Sequence, residues 1–328
     1  MPMTLRTERF DLQPPDPDTA LAWLTSACGD LERLARCSLA GSPRQYHRAV
    51  SVIHQICQAL TDCEVSNAPA ESIRAAVATA RAIHAQSPFV TRLQQWPRGY
   101  PGDYETIEWL WRGENRAPAG TLAHAIESYA LNAAIAQQHR NKVMFQAGCM
   151  LQAMATVSRC RILSIGCGGN PDLRTIVDSV SPTTTLALCD GDAAALSYSR
   201  SRLAAIEDRC SFVHGMVPRV LRRVREHGPF DLILAGGLFD YLPDRFIERT
   251  LAECWQRLLA PGGRIIFTNI ASGNPFRVWI EYLGDWRLIE RSEEDVVRLC
   301  HSAGIPVAPS LERDATGLAI VASLKSEG

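Results

Sequence analysis

The chain has 328 residues, 46% hydrophobic and 21% charged, with a formal net charge of −1. That length suits one or two domains, the apolar content excludes global disorder, and the balanced charge offers no field that would draw the whole molecule to nucleic acid or anionic lipid. Eleven cysteines without a CxxC pair favour a reducing compartment and give no zinc-type ligand spacing. No stretch approaches the roughly 18 apolar residues of a membrane span, and Met1–Asp18 is acidic and Pro-rich with no apolar leader core, so the sequence predicts a cytoplasmic protein without integral membrane association.

From the N-terminus the signals are helical. Asp16-Pro17 provides an N-cap and an N1 proline ahead of Leu21, Leu24, Leu31 and Leu34. Ser42-Pro43 repeats the start signal before Val50, Ile53, Ile56 and Leu60, and Pro69 opens a third helix through Ile73, Val77 and Ile83. A Pro/Gly turn cluster, 96–103, feeds a short aromatic helix. Ala117-Pro118 precedes an Ala-rich helical run to Val157 with a break near Asn132. From Arg159 the pattern changes to short apolar runs, 161–165, 185–189, 210–214, 230–235, 264–269, 305–309 and 318–323, most of them separated by helical segments. Near-continuous apolar strands alternating with helices predict a parallel sheet covered on both faces, and the last two runs, with no helix between them, an antiparallel edge hairpin. The expected architecture is an α/β fold: a seven-stranded Rossmann-like sheet over 158–328, preceded by an all-α N-terminal cap domain over 1–157.

The segment RILSIGCGGNPDLR, 161–174, places Gly166, Gly168 and Gly169 between a strand and a helix start at Asn170-Pro171. Glycines there let the backbone turn sharply and approach a ligand at the carboxyl end of the first strand. Asp190 ends the second strand, where a carboxylate can accept both hydroxyl hydrogens of an adenosine ribose. A dinucleotide fingerprint would want glycine where Pro171 stands, which argues against a dehydrogenase, and no Lys-Ser/Thr pair follows to make a P-loop.

These features resemble class I S-adenosylmethionine-dependent methyltransferases over about 159–325, in the loop IGCGGN, Asp190, FDLILAGGLFDYL (230–242) and LLAPGGRIIFTNI (258–270). The resemblance implies S-adenosyl-L-methionine as cofactor. Gly166, Cys167 and Gly168 would line its methionine and ribose side, and Asp190 would hold the ribose hydroxyls with Gly191 beside it. Gly215 and Met216, after His214, would flank the adenine, where many members carry an acid. Ala235, Gly236 and Leu238 would border the methionine moiety.

The N-terminal half carries Arg98-Gly99-Tyr100-Pro101-Gly102-Asp103-Tyr104-Glu105, a cation, two phenols and two carboxylates on a tight loop. One reading is a capped interhelix turn, with Asp103 as cap and Arg98 paired to an acid. The other has the loop fold over the glycine-loop mouth, with Tyr100 and Asp103 toward the cofactor. With 133–142 and 285–295 the loop is similar to bacterial methyltransferases that make the methyl ester of 3-hydroxypalmitic acid, an extracellular quorum-sensing factor. That resemblance implies carboxyl O-methylation of a hydroxy fatty acid. A carboxylate acceptor is ionised at neutral pH and needs orientation rather than a base, from Arg98, Arg140 or Tyr100. A phenol or amine acceptor would use a base, for which His139 is best placed. Asn269, at the end of the fifth strand, is expected to face the substrate, and the aromatic stripe Trp279, Tyr282 and Trp286 is either core or an apolar wall for an acyl chain or ring. A methyltransferase for another amine or hydroxyl, and a non-catalytic adenosyl-binding protein, stay open as alternatives.

Overall fold

The computed structural model describes residues 15–37 and 43–328, so the expected cap Ser42 lies outside the described residues. Helices α1 (Pro17–Ala35), α2 (Pro43–Val65), α3 (Ala70–His84), α4 (Pro88–Gln95), α5 (Tyr104–Arg112), α6 (Leu122–Asn132) and α7 (Ala134–Thr156) come first. The alternating half follows: β1 (Arg161–Ile165), α8 (Pro171–Thr175), β2 (Thr185–Asp190), α9 (Ala193–Arg202), β3 (Cys210–His214), α10 (Arg219–Val224), β4 (Phe230–Ala235), α11 (Asp244–Glu253), β5 (Leu259–Ile270), α12 (Glu293–Ser302), β6 (Ser310–Arg313) and β7 (Ala319–Lys325).

The chain forms two compact units that interleave along the sequence. One takes Met1–Gln94, Arg116–Glu127 and Val278–Asp285; the other takes Gln95–Asn115, Ser128–Arg277 and Trp286–Gly328. This is not a division at residue 157, because 95–115 and α7 belong with the sheet. The reason is burial: Ala147, Cys149 and Met150 of α7 share an apolar cluster with Ile162, Leu186, Leu188, Leu232 and Leu234 of the strands.

In the first unit the apolar stripes of α1, α2 and α3 are buried, through Leu24 and Leu31, Ile53 and Ile56, and Ile73 and Val77. Asp16 caps α1 by accepting from the amides of Asp18 and Thr19. Helix α4 is absent from the sequence expectation because its start is satisfied from far along the chain: the buried Glu127 accepts from Phe89 N at 3.0 Å and from Ser87 Oγ at 2.7 Å.

The second unit is built on a seven-stranded sheet of order β3-β2-β1-β4-β5-β7-β6. β1 to β5 pair in parallel, and β7 runs antiparallel to both β5 and β6. Period-two alternation sends Leu163, Ile165, Ala187, Cys189, Ile233, Ile265 and Phe267 to one face with α10, α11 and α12, and Ile162, Leu186, Leu188, Leu232, Leu234 and Ile266 to the other with α7 and α8. The expected parallel sheet with an antiparallel edge hairpin is therefore present. The run 305–309 is not a strand; the sixth strand begins at Ser310, and Ile305 and Val307 pack on the core from a loop. Parallel pairing brings the carboxyl ends of β1, β2, β3 and β4 to one edge, where the loops 166–170, 191–192, 215–218 and 236–243 gather.

Candidate active site

The glycine loop turns as the sequence requires, with φ +64° at Gly166 and +54° at Gly168. A Cβ at Gly166 would stand 3.1 Å from Leu238 Cβ, so the cradle admits no side chain without displacing the loop after β4. Asp190 reaches back to this loop: Oδ2 accepts from Gly168 N and Oδ1 from Asp192 N, both at 2.8 Å. Burial is the main influence on Asp190 and pushes its carboxyl above the ordinary value.

These loops border a cavity of about 1050 Å³ lying within the second unit, at the upper end of the ~300–1000 Å³ usual for ligand sites. Of the residues expected at the cofactor, Gly166, Cys167, Gly168, Asp190, Gly191, Gly215, Met216, Gly236 and Leu238 line it, as do Arg98, Tyr100 and His139 of the N-terminal half. Gly236 meets α7 closely: a Cβ there would fall 2.0 Å from Gln146 Oε1. Met216, 67% exposed, lays its sulfur against Gly191, where a Cβ would be 2.4 Å away.

The 98–105 loop satisfies parts of both readings. Arg98 donates Nε and Nη2 to Asp192 at 2.7 Å each, and Tyr100 Oη donates to Asp192 Oδ2 at 2.9 Å. The Arg98 fork holds the Asp192 carboxyl at about 2, and burial with the neighbouring carboxylate raises the Tyr100 phenol. Arg98 is thus a fastened cation on the cavity wall. Asp192 also caps α9 through Ala194 N. Asp103 does not line the cavity: it caps α5, accepting from Glu105 N at 2.9 Å and Thr106 N at 3.1 Å.

Other expected site residues have structural employment elsewhere. Arg140 spends its guanidinium on the carbonyls of Leu110 and Leu131 at 2.7 Å and on Gln137, so it pins α5 and α6 to α7 rather than facing a ligand. Ala235 is buried at the end of β4, its side chain among Phe239 and Phe267. Asn269 is buried and joins β5 to the 289–291 segment, donating to Ile289 O and accepting from Arg291 Nη1. Tyr282 lies in the first unit, donating to Glu64. Trp286 does not line the cavity but backs it, stacking on His139 at 5.3 Å and donating Nε1 to Tyr241 Oη at 2.9 Å. His139 is buried, and desolvation together with Lys142 and Arg140 holds it well below its ordinary value, so its ring is neutral.

Lys142, Asp240, Tyr241 and Asp192 are among the cavity residues not singled out from the sequence. Lys142 and Asp240 form an ion pair at 3.1 Å with side chains only 3% and 2% exposed. Tyr241 sits under Gly102, where a Cβ would lie 1.9 Å from its hydroxyl. Asp192 had a visible signal, the repeated acid of Asp190-Gly191-Asp192. Lys142 had only its place at the end of the 133–142 segment, and Asp240 its place inside the 230–242 segment.

Residues 163–265 match the family described as a methyltransferase domain. A curated relative, the arsenite methyltransferase of Aquipseudomonas alcaligenes, is 27% identical over 128 residues, 38% of this chain and 36% of the relative; the match spans about a third of that protein's length. Among solved structures, a possible exported protein from Bordetella parapertussis superposes with a TM-score of 0.54 at 13% identity, covering 97% of this chain and all of that one. The CurJ carbon methyltransferase gives 0.51 at 14% identity, covering 95% of this chain and 91% of its own. These two share the fold. The matched segment holds the glycine loop, Asp190 and the loop after β4.

Proposed function

We propose that this chain, through that domain, transfers a methyl group from S-adenosylmethionine to a small-molecule acceptor. The observation that carries the reading is one cavity that joins the glycine cradle and Asp190 to a second set of polar groups on α7 and the 236–243 loop. Its volume admits a cofactor together with a second small molecule, which a bare adenosyl-binding protein has no use for. When bound, the cofactor supplies an electrophilic sulfonium methyl whose sulfur keeps the bonding pair on transfer.

The chain's own residues bind and align. Asp190, fixed by two backbone amides, would hold the ribose hydroxyls; Gly166, Cys167 and Gly168 would follow the ribose and methionine; Gly215 and Met216 would flank the adenine. The Arg98–Asp192–Tyr100 cluster ties the 98–105 loop beside Asp190. The finer reading is carboxyl O-methylation of a hydroxy fatty acid, giving a methyl ester of the quorum-sensing signal type. Its support is the RGYPGDYE resemblance and the apolar stretch of cavity wall formed by Val143, Leu238, Leu242 and Phe246. It needs no general base, in keeping with a His139 ring backed by Trp286 and making no hydrogen bond among the described residues.

Calorimetric titration tests the first step. S-adenosylhomocysteine should bind at micromolar concentration and NAD should not. Asp190→Ala should weaken the homocysteine ligand at least about tenfold, since a hydrogen bond to a charged group contributes about 1.5–3 kcal/mol. NAD binding, or an unchanged affinity in the variant, would refute the assignment of the cradle.

A further inference from the structure

We propose that Lys142 and Tyr241 are the two donors that hold a carboxylate of the methyl acceptor beside Gly236 and Gly237. This rests on the methyltransferase reading above and names the acceptor-binding groups within it. Lys142 comes from the middle of α7, and its Nζ lies 3.9 Å from the Cβ position of Gly237 on the cavity wall. Among the described residues its hydrogen-bond acceptor is Asp240 Oδ2 alone. An ammonium carries three protons, so two are left for a ligand on a group that is almost wholly out of water.

Asp240 is itself held from behind, since Oδ1 accepts from Ile270 N at 2.6 Å. The carboxylate therefore fixes the direction of Lys142 while part of its charge rests on a backbone amide. Tyr241 follows directly in sequence. Its hydroxyl accepts from Trp286 Nε1, which leaves the phenolic hydrogen to donate, and among the described residues it makes no hydrogen bond as a donor. Burial holds that phenol protonated.

A carboxylate has two oxygens with four lone-pair sites and no hydrogen to place, so it can satisfy an ammonium and a phenol together. The arginines that the sequence nominated for this task are committed, Arg98 to Asp192 and Arg140 to two carbonyls. The remaining wall, Val143, Leu238, Leu242, Phe246, Leu288 and Ile289, is apolar and suits the body of an amphipathic acid.

The test uses the full chain saturated with S-adenosylhomocysteine and two probes, 3-hydroxydecanoate and its methyl ester, titrated by calorimetry. The wild-type chain should bind the acid at least about tenfold more tightly than the ester, the size expected of a charge-assisted hydrogen bond. The double variant Lys142→Met with Asp240→Asn removes the cation without stranding its partner. It should lose that preference while keeping its affinity for S-adenosylhomocysteine. Tyr241→Phe, which keeps the ring packing, should reduce the preference several-fold and decides the matter should the double variant fail to fold. Equal binding of acid and ester by the wild type, no binding of either probe, or an undiminished preference in whichever variant folds, would overturn the proposal. Loss of S-adenosylhomocysteine binding by the wild type would instead overturn the methyltransferase reading, which keeps the two failures apart.

Discussion

Asp172 stands at the first turn of α8 on the cavity wall and is 5% exposed. It accepts from Leu173 N at 2.8 Å, with Arg174 nearby, yet desolvation outweighs both and raises it from 3.8 to about 6. The folded chain therefore holds this proton more tightly than the unfolded chain does. Unfolding releases protons between those two values, and stability falls as pH rises through that window. The difference between 3.8 and about 6, at about 1.4 kcal/mol per pH unit, is about 3 kcal/mol. Asp172→Asn keeps the shape and an acceptor for Leu173 N but removes the ionisation. Urea unfolding of the ligand-free chain, followed by circular dichroism, should show the variant gaining about 2 to 3 kcal/mol on the wild type between pH ~4 and pH ~7. Other titrating groups are common to both proteins and cancel in the difference. A difference that does not change with pH, or that changes in the opposite direction, would refute the idea that this carboxyl is buried at a cost.

Gly236→Ala would drive a methyl group into the buried amide of Gln146 and should destabilise the chain by about 1–3 kcal/mol, as overpacking does; adding Gln146→Ala should recover most of that loss, and additive effects in a double-mutant cycle would count against the contact. Asp192→Ala removes the acceptor of Arg98 and Tyr100 and the cap of α9. Amide hydrogen exchange should accelerate in 98–104 and at the start of α9 while β1 and β2 keep their protection; an unaltered 98–104 segment would show that the loop is held by something else.

The strand ends and the glycine turn were legible because they obey local rules. A run such as RILSI followed by Gly166 and Gly168 permits few other conformations, and Asp190 lies where a second parallel strand must end. Residues whose role depends on distant partners were not legible. Asp103 and Arg140 have the chemistry of ligand-facing groups, but one finds its acceptor duties two and three residues away and the other finds carbonyls on two other helices. Asn269, from its place at a strand end, and Tyr282, from its helical spacing, looked like substrate contacts, while each closes a contact far along the chain. Conversely, Lys142 and Asp240 are ordinary charges in sequence, and only the packing of α7 against the end of β4 makes them a buried pair.

The place of α7 has a consequence for how such a chain can be altered. Its Ala147, Cys149 and Met150 shield one side of the sheet, while His139, Lys142, Val143 and Gln146, on the same helix, border the cavity. A fragment cut just before β1 would turn Ile162, Leu186, Leu188, Leu232 and Leu234 out to solvent, so the minimal soluble piece must start upstream of the helix. Exchange of the whole N-terminal half with a relative would replace the α7 side of the cavity lining and the roof of the core in one step. Changes of acceptor preference are therefore expected to accumulate by point substitution along α7 rather than by shuffling of a detachable module.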